Sequence, residues 1–247
     1  MGNVGPRVGD AFGETLRRCW EARAAPGSAF EIIERDDGVI HAADASRYFT
    51  PSARLPPLDR EALELARGSV LDVGVGAGRH ALALHERGRT VVGIDPSPGA
   101  VEVARLRGVD ARHGSIARPP TGLGRFDTLL LLGNNLGLLQ DAERAPAVLA
   151  HLAALAAPGA VLLGTGMDPG TTNAEHLAYQ QRNRAAGHLP GRIRMRNRQG
   201  ALATEWFDYL FASVDELAEL VRPSPWRLVS VRRDRHKYLA VLGSRDE

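Results

Sequence analysis

The chain has 247 residues, 44% of them hydrophobic and 24% charged, with 31 basic residues against 29 acidic ones and a net charge of +2. Such a composition can bury a sizeable core, and it excludes disordered, collagen-like and coiled-coil classes. One cysteine, Cys19, rules out an intramolecular disulfide and a cysteine-based zinc site.

All basic residues except Lys237 are arginine, and the small excess of base does not by itself make a nucleic-acid surface. The apolar run Thr128–Leu132 stops at Gly133-Asn134-Asn135, far short of the roughly 20 residues of a membrane span. Residues Met1–Pro6 carry no apolar stretch of a signal peptide, so a cytoplasmic location and no membrane partner are expected.

Taken in order, Gly9–Ala24 places Phe12, Leu16, Cys19 and Trp20 at helical spacing, and Ala25-Pro26-Gly27 ends that helix. Ser28–Arg60 reads as irregular, with a short strand at Phe30–Ile33 and Tyr48 ahead of a proline-rich loop. Asp59–Arg67 reads as a helix capped by Asp59. From Ser69 the rhythm changes. Strands at Val70–Val73, Thr90–Ile94, Asp110–His113, Phe126–Leu132 and Ala160–Gly164 alternate with helices at Arg79–Arg87, Gly99–Gly108 and Asp141–Ala156. That alternation predicts a parallel sheet covered on both faces.

A helix at Asn173–Ala186 then precedes Arg192–Arg196, which alternates with period 2, a Gln199-Gly200 turn, and the aromatic-rich Thr204–Phe211, together a β-hairpin signal. Ser213 and Glu216 form a capping box for a helix to Val221. Trp226–Val231 and Tyr238–Leu242 close the chain as an antiparallel pair. The expected fold is α/β: one seven-stranded mixed sheet with helices on both faces and its last strand antiparallel. Residues 1–68 form an N-terminal helical or lid segment, 69–247 the core domain, and 170–211 a substrate-side insertion at the sheet's C-terminal edge.

The informative stretch runs from Val70 to His80. A buried strand enters a loop with Gly74, Gly76 and Gly78 at alternate positions, and glycine lets backbone approach a ligand closely. A dinucleotide loop, Gly-x-Gly-x-x-Gly, would put its third glycine one residue later and needs no acid before the first. Here Asp72 precedes Gly74 by two residues, and Asp95 ends the next strand. This pattern resembles the class I S-adenosylmethionine-dependent methyltransferases.

The resemblance implies a Rossmann-like fold, S-adenosylmethionine as cofactor and in-line methyl transfer. It implies that Asp72 serves the methionyl ammonium, directly or through water, that Gly74, Val75, Gly76 and Gly78 form the loop, and that Asp95 takes the ribose hydroxyls beside Pro96. The family often carries an acid after the third strand; here Ser115 stands in that place, with Ile116 able to pack on the adenine ring. Gly133 and Asn134, after the fourth strand, would lie beside the sulfonium or simply make a turn.

Methyl transfer needs alignment of an acceptor and at most one base. Asp208, Tyr179 and His176 are the candidate catalytic residues, with Tyr48 also in reach. Each has a plainer reading: His176 as a surface residue, Tyr179 with Trp206, Phe207 and Tyr209 as core. Asp208 among aromatics suits a base if buried. Arg192, Arg194, Arg196 and Arg198 share one strand face, read either as a solvated edge strand or as a site for an acidic acceptor or RNA. A small-molecule acceptor, such as a secondary metabolite, is expected, with no metal and a monomer or homodimer. An RNA methyltransferase and a non-methylating cofactor-binding protein, either a regulatory subunit or an enzyme of another reaction in the same pocket, are the alternatives.

Overall fold

A computed structural model describes residues 5–170 and 173–245; the first four residues of the Met1–Pro6 reading lie outside them. The chain opens with β1 (Arg7–Val8) and α1 (Ala11–Glu21), whose N-cap Asp10 accepts from Gly13 N. A hairpin follows, β2 (Phe30–Arg35) and β3 (Ile40–Asp44), then α2 (Pro57–Leu65). The hairpin was not expected beyond Ile33. Its signal is Asp37-Gly38, with Gly38 at φ +91°, a turn pair suited to joining two strands. Asp59 does not cap α2, since the helix starts two residues earlier, and its side chain is buried.

The core then alternates as expected: β4 (Val70–Val73), α3 (Arg79–His85), β5 (Val91–Asp95), α4 (Pro98–Leu106), β6 (Asp110–His113), β7 (Phe126–Leu131), α5 (Ala145–Ala154) and β8 (Ala156–Met167). After α6 (Ala174–Ala185) come β9 (Arg192–Gln199), β10 (Leu202–Ala203) and β11 (Phe207–Leu210), then α7 (Val214–Val221), β12 (Trp226–Asp234) and β13 (Lys237–Ser244). Both halves of the Ser213–Glu216 capping box are present.

The core sheet has seven strands in the order β12-β13-β8-β7-β4-β5-β6. Strands β4 to β8 run parallel, and β13 is antiparallel to β8 and β12. Strand alternation sends Leu71, Val73, Leu129 and Leu131 to one face, against α5, α7 and the buried Trp226. Val70, Leu130 and Leu132 go to the other, against α2 and α3. Such two-sided burial is why these strands are continuously apolar.

Packing runs across Ser69. Helix α2 lies on the core sheet, and α1 packs on α4 so closely that a Cβ on Gly13 would sit 2.7 Å from Gly99 Cα. The hairpin β2–β3 instead joins the insertion in a second, six-stranded sheet, ordered β1-β10-β9-β2-β3 with β11 also on β9. This corrects the edge-strand reading of β9. Its arginines lie in a central strand, paired with β2 on one side and with β10 and β11 on the other.

Candidate functional site

The two sheets face each other across a cleft of about 1780 Å³, roofed by the second sheet and floored by the C-terminal ends of β4, β5, β7 and β8. Ligand pockets for one small molecule span roughly 300–1,000 Å³, so this cleft has room for two ligands side by side.

The floor begins at the glycine loop. Gly74, Gly76 and Gly78 have φ of +74°, +54° and +80°, values that side-chain-bearing residues resist. At Gly76 the nearest atom to an added Cβ is Tyr48 Cδ1 at 3.8 Å, so the loop's centre is open to the cleft. Asp95 is 5% exposed; its Oδ2 accepts from Gly76 N at 3.0 Å and its Oδ1 from Ser97 N at 2.9 Å. A carboxylate has about four lone-pair sites, so each oxygen keeps one for a ligand. Burial, opposed by those two amides, lifts the Asp95 pKa to about 6.

Val75, Pro96, Ser115, Ile116, Gly133 and Asn134 also line the cleft. Ser115 Oγ accepts from Arg118 N at 3.2 Å, so this hydroxyl is partly occupied by its own turn. Asn134 is left-handed at φ +74° and its Oδ1 is buried without a hydrogen-bond partner. Asn135 Nδ2 donates to Val73 O at 2.9 Å and ties this turn to the glycine loop.

Asp72 and Gly78 stand one layer behind. Gly78 caps α3 and packs under Val109. Asp72 is 1% exposed, and its Oδ2 has no hydrogen-bond partner among the described residues. Burial raises its pKa, while His80 and Arg79 pull the other way. His80 Nε2 donates to Asp59 Oδ2 at 2.9 Å, and Arg79 Nη2 lies 3.4 Å from the same oxygen. This buried pair was missed because Asp59 looks like a helix cap in the sequence.

The candidate catalytic residues Asp208, Tyr179 and His176 all border the cleft, each with a partner in the roof. The Asp208 carboxylate, across from Arg194 in the register, meets Arg192 at 3.1 Å as an ion pair, with its Oδ1 buried and making no hydrogen bond among the described residues. The Tyr179 hydroxyl donates to Asp36 at 2.8 Å and accepts from Arg194 N at 3.1 Å; burial raises its pKa to about 12. His176 Nδ1 accepts from Arg35 Nη1 at 2.8 Å, and Arg35 stacks on the Tyr179 ring at 4.3 Å. His176 and Tyr179 thus join one cluster that fastens α6 to the roof.

The roof's inner face shows what the sequence concealed. Ile193, Met195 and Asn197 of β9, Glu31 and Ile33 of β2, and Phe207 and Tyr209 of β11 line the cleft. The arginines of β9 alternate to the far face, where Arg196 and Arg198 meet Glu34 at 2.9 and 3.4 Å. Trp206 is under Arg196 at 4.4 Å and does not line the cleft. Tyr209 donates to Asn134 O at 2.6 Å, pinning roof to floor. Among the described residues, no three His, Cys, Asp or Glu side chains gather as metal ligands do. Nor is any helix there long and apolar enough to cross a membrane.

Residues 70–159 match the family model of a methyltransferase domain. A structure of a S-adenosylmethionine-dependent methyltransferase from Bacteroides fragilis superposes with a TM-score of 0.80 and 26% identity, covering 95% of this chain and 94% of that one. Residues 70–159 form a methyltransferase domain, in a fold shared with S-adenosylmethionine-dependent methyltransferases. Two curated relatives are a ubiquinone biosynthesis O-methyltransferase of Marinobacter nauticus and a cypemycin N-terminal methyltransferase of a Streptomyces species. The first is 30% identical over 40% of this chain and 50% of its own length, the second 33% over 54% and 56%. The chain thus spans about half the length of these curated relatives.

Proposed function

We propose that this protein transfers a methyl group from S-adenosylmethionine to a small organic acceptor bound under the second sheet. The observation that carries the proposal is the two-sided cleft. Its floor offers an open glycine loop and a buried carboxylate with spare acceptor sites, and its roof is a separate, largely apolar face.

The residues present fit the cofactor. Asp95 would receive the ribose hydroxyls, Gly74–Gly76 would let the methionyl part approach the backbone, and Pro96, Ser115 and Ile116 would border the adenine. The orphaned Asp72 Oδ2 fits a positive group or a bridging water near the ammonium end. When bound, the cofactor supplies a methyl group already activated by its sulfonium. The protein's residues need then only orient the acceptor and exclude water. Ile33, Ile193, Met195 and Phe207 supply the apolar wall for that, and Tyr209 holds the wall at a fixed height over Asn134. His176, Tyr179 and Asp208 support the roof through Arg35, Asp36 and Arg192.

Incubation with methyl-labelled cofactor and a fractionated metabolite extract tests this reading. Label should move to a small-molecule fraction. Cofactor binding with no label transferred to any fraction would favour the non-methylating reading instead.

A further inference from the structure

Two polar side chains of the roof, Glu31 and Asn197, face the cleft side by side. Glu31 is 6% exposed and points from β2 into the cleft. Its Oε2 receives the Tyr48 hydroxyl at 2.7 Å and the Arg47 guanidinium. Both bonds fall on that one oxygen, which leaves Oε1 without a partner among the described residues. On the neighbouring strand, Asn197 lines the same cleft with its Oδ1 buried and unpartnered.

Register places the two close together. Asn197 is opposite Ile33, and Glu31 lies two residues from Ile33 on the same face, so Glu31 and Asn197 are diagonal neighbours about 7–8 Å apart at the backbone. Ile33, Met195 and Ile193 form the apolar surface beside them, and Tyr48 covers the glycine loop at 3.8 Å from the position of a Gly76 Cβ.

A buried polar atom left open, as Asn197 Oδ1 is, is matched by a ligand or a water, and Asn197 Oδ1 and Glu31 Oε1 are both acceptors. A third, Asn134 Oδ1, is unpartnered on the floor. A hydroxyl brings one donor, whereas a primary ammonium brings three. Arg47, 44% exposed, pairs with Glu31 Oε2, and Oε1 keeps its acceptor sites for such a donor. We propose that Glu31 and Asn197 bind an amine, and that the acceptor is therefore an amine-bearing small molecule with an apolar body. This inference rests on the methyltransferase reading of the same cleft and names its substrate class. Glu31 is a specificity residue that neither a motif nor local periodicity marks.

Calorimetry on the full chain saturated with S-adenosylhomocysteine tests it, with phenylbutylamine and phenylbutanol as probes of equal shape. The amine should bind at least about tenfold more tightly, the scale of one charge-assisted hydrogen bond. Glu31→Gln should bring the two probes within about threefold of each other. Asn197→Asp, which adds a charge on the same face, should widen the preference. Equal binding of the two probes to the unaltered chain, or a preference unmoved by Glu31→Gln, overturns the proposal. If Glu31→Gln does not fold, a preference unmoved by Asn197→Asp does the same. S-adenosylhomocysteine binding is measured first. Its absence removes the methyltransferase reading and this inference with it, whereas cofactor binding without amine preference removes this inference alone.

Discussion

A carboxylate held as Asp95 is, buried against two backbone amides with a pKa near 6, makes cofactor binding depend on pH. Ligand hydroxyls donate more strongly to the charged form, and only that form can take two of them, so below about pH 6 binding must largely expel a proton. Affinity for S-adenosylhomocysteine should be flat above pH 7 and fall by up to about tenfold per pH unit below 6, measured by calorimetry. Asp95→Asn should flatten that profile and lower its plateau by about tenfold or more. The stability of the ligand-free chain should move the other way. With a folded pKa above the ordinary 3.8, the folded state holds the extra proton between those values. The stability this group contributes is therefore full at the acid end and is lost as pH rises through about 6. Asp95 was legible because a strand-terminal acid beside a glycine loop carries its own local signal. The partner of Asp208, Arg192, was not legible, because the two meet only through strand pairing.

At the scale of elements, the glycine loop and the Asn134–Leu139 turn are held by one side chain. Asn135 Nδ2 bonds Val73 O and Gly74 O, and a Cβ on Gly74 would lie 2.5 Å from that nitrogen. Gly74→Ala should therefore cost both the left-handed strain of about 1–2 kcal/mol and a buried hydrogen bond of about 1 kcal/mol. Gly88, at φ +73° with nothing within 4 Å, isolates the strain alone. Urea denaturation should show Gly74→Ala destabilised by clearly more than Gly88→Ala, and only the former should weaken S-adenosylhomocysteine binding. Equal losses in the two variants would mean that Asn135 is not the tie. Element type was readable throughout this region because hydrophobic period and turn chemistry are local. Element position was not: the period-2 arginines identify β9 as a strand but say nothing of its neighbours, and the strand is central rather than at an edge.

For the whole molecule, the core sheet was legible strand by strand because each βα unit is contiguous and its crossover short. The roof was not, because β2 and β9 meet across more than half of the chain, and neither segment encodes the other. That pairing decides what the arginines do. Arg182 meets Asp37, Arg192 meets Asp208 and Asp141, and Arg196 and Arg198 meet Glu34, so the cations that invited an RNA reading are largely matched by the fold's own acids. They also lie on the roof's far face, away from Ile193, Met195 and Asn197. Replacing Arg192, Arg194 and Arg196 together by alanine should cost about 1–3 kcal/mol of stability, because Asp208 and Asp141 are left partly buried without their partner. The same replacement should leave S-adenosylhomocysteine affinity unchanged between about 50 and 200 mM salt, and the intact chain should not retain RNA across that range. An RNA substrate predicts the reverse: binding that falls about a thousandfold or more over those concentrations and a shallower salt slope in the triple variant. Steep, arginine-dependent RNA retention would show that the far face, and not the cleft side of the roof, selects the acceptor.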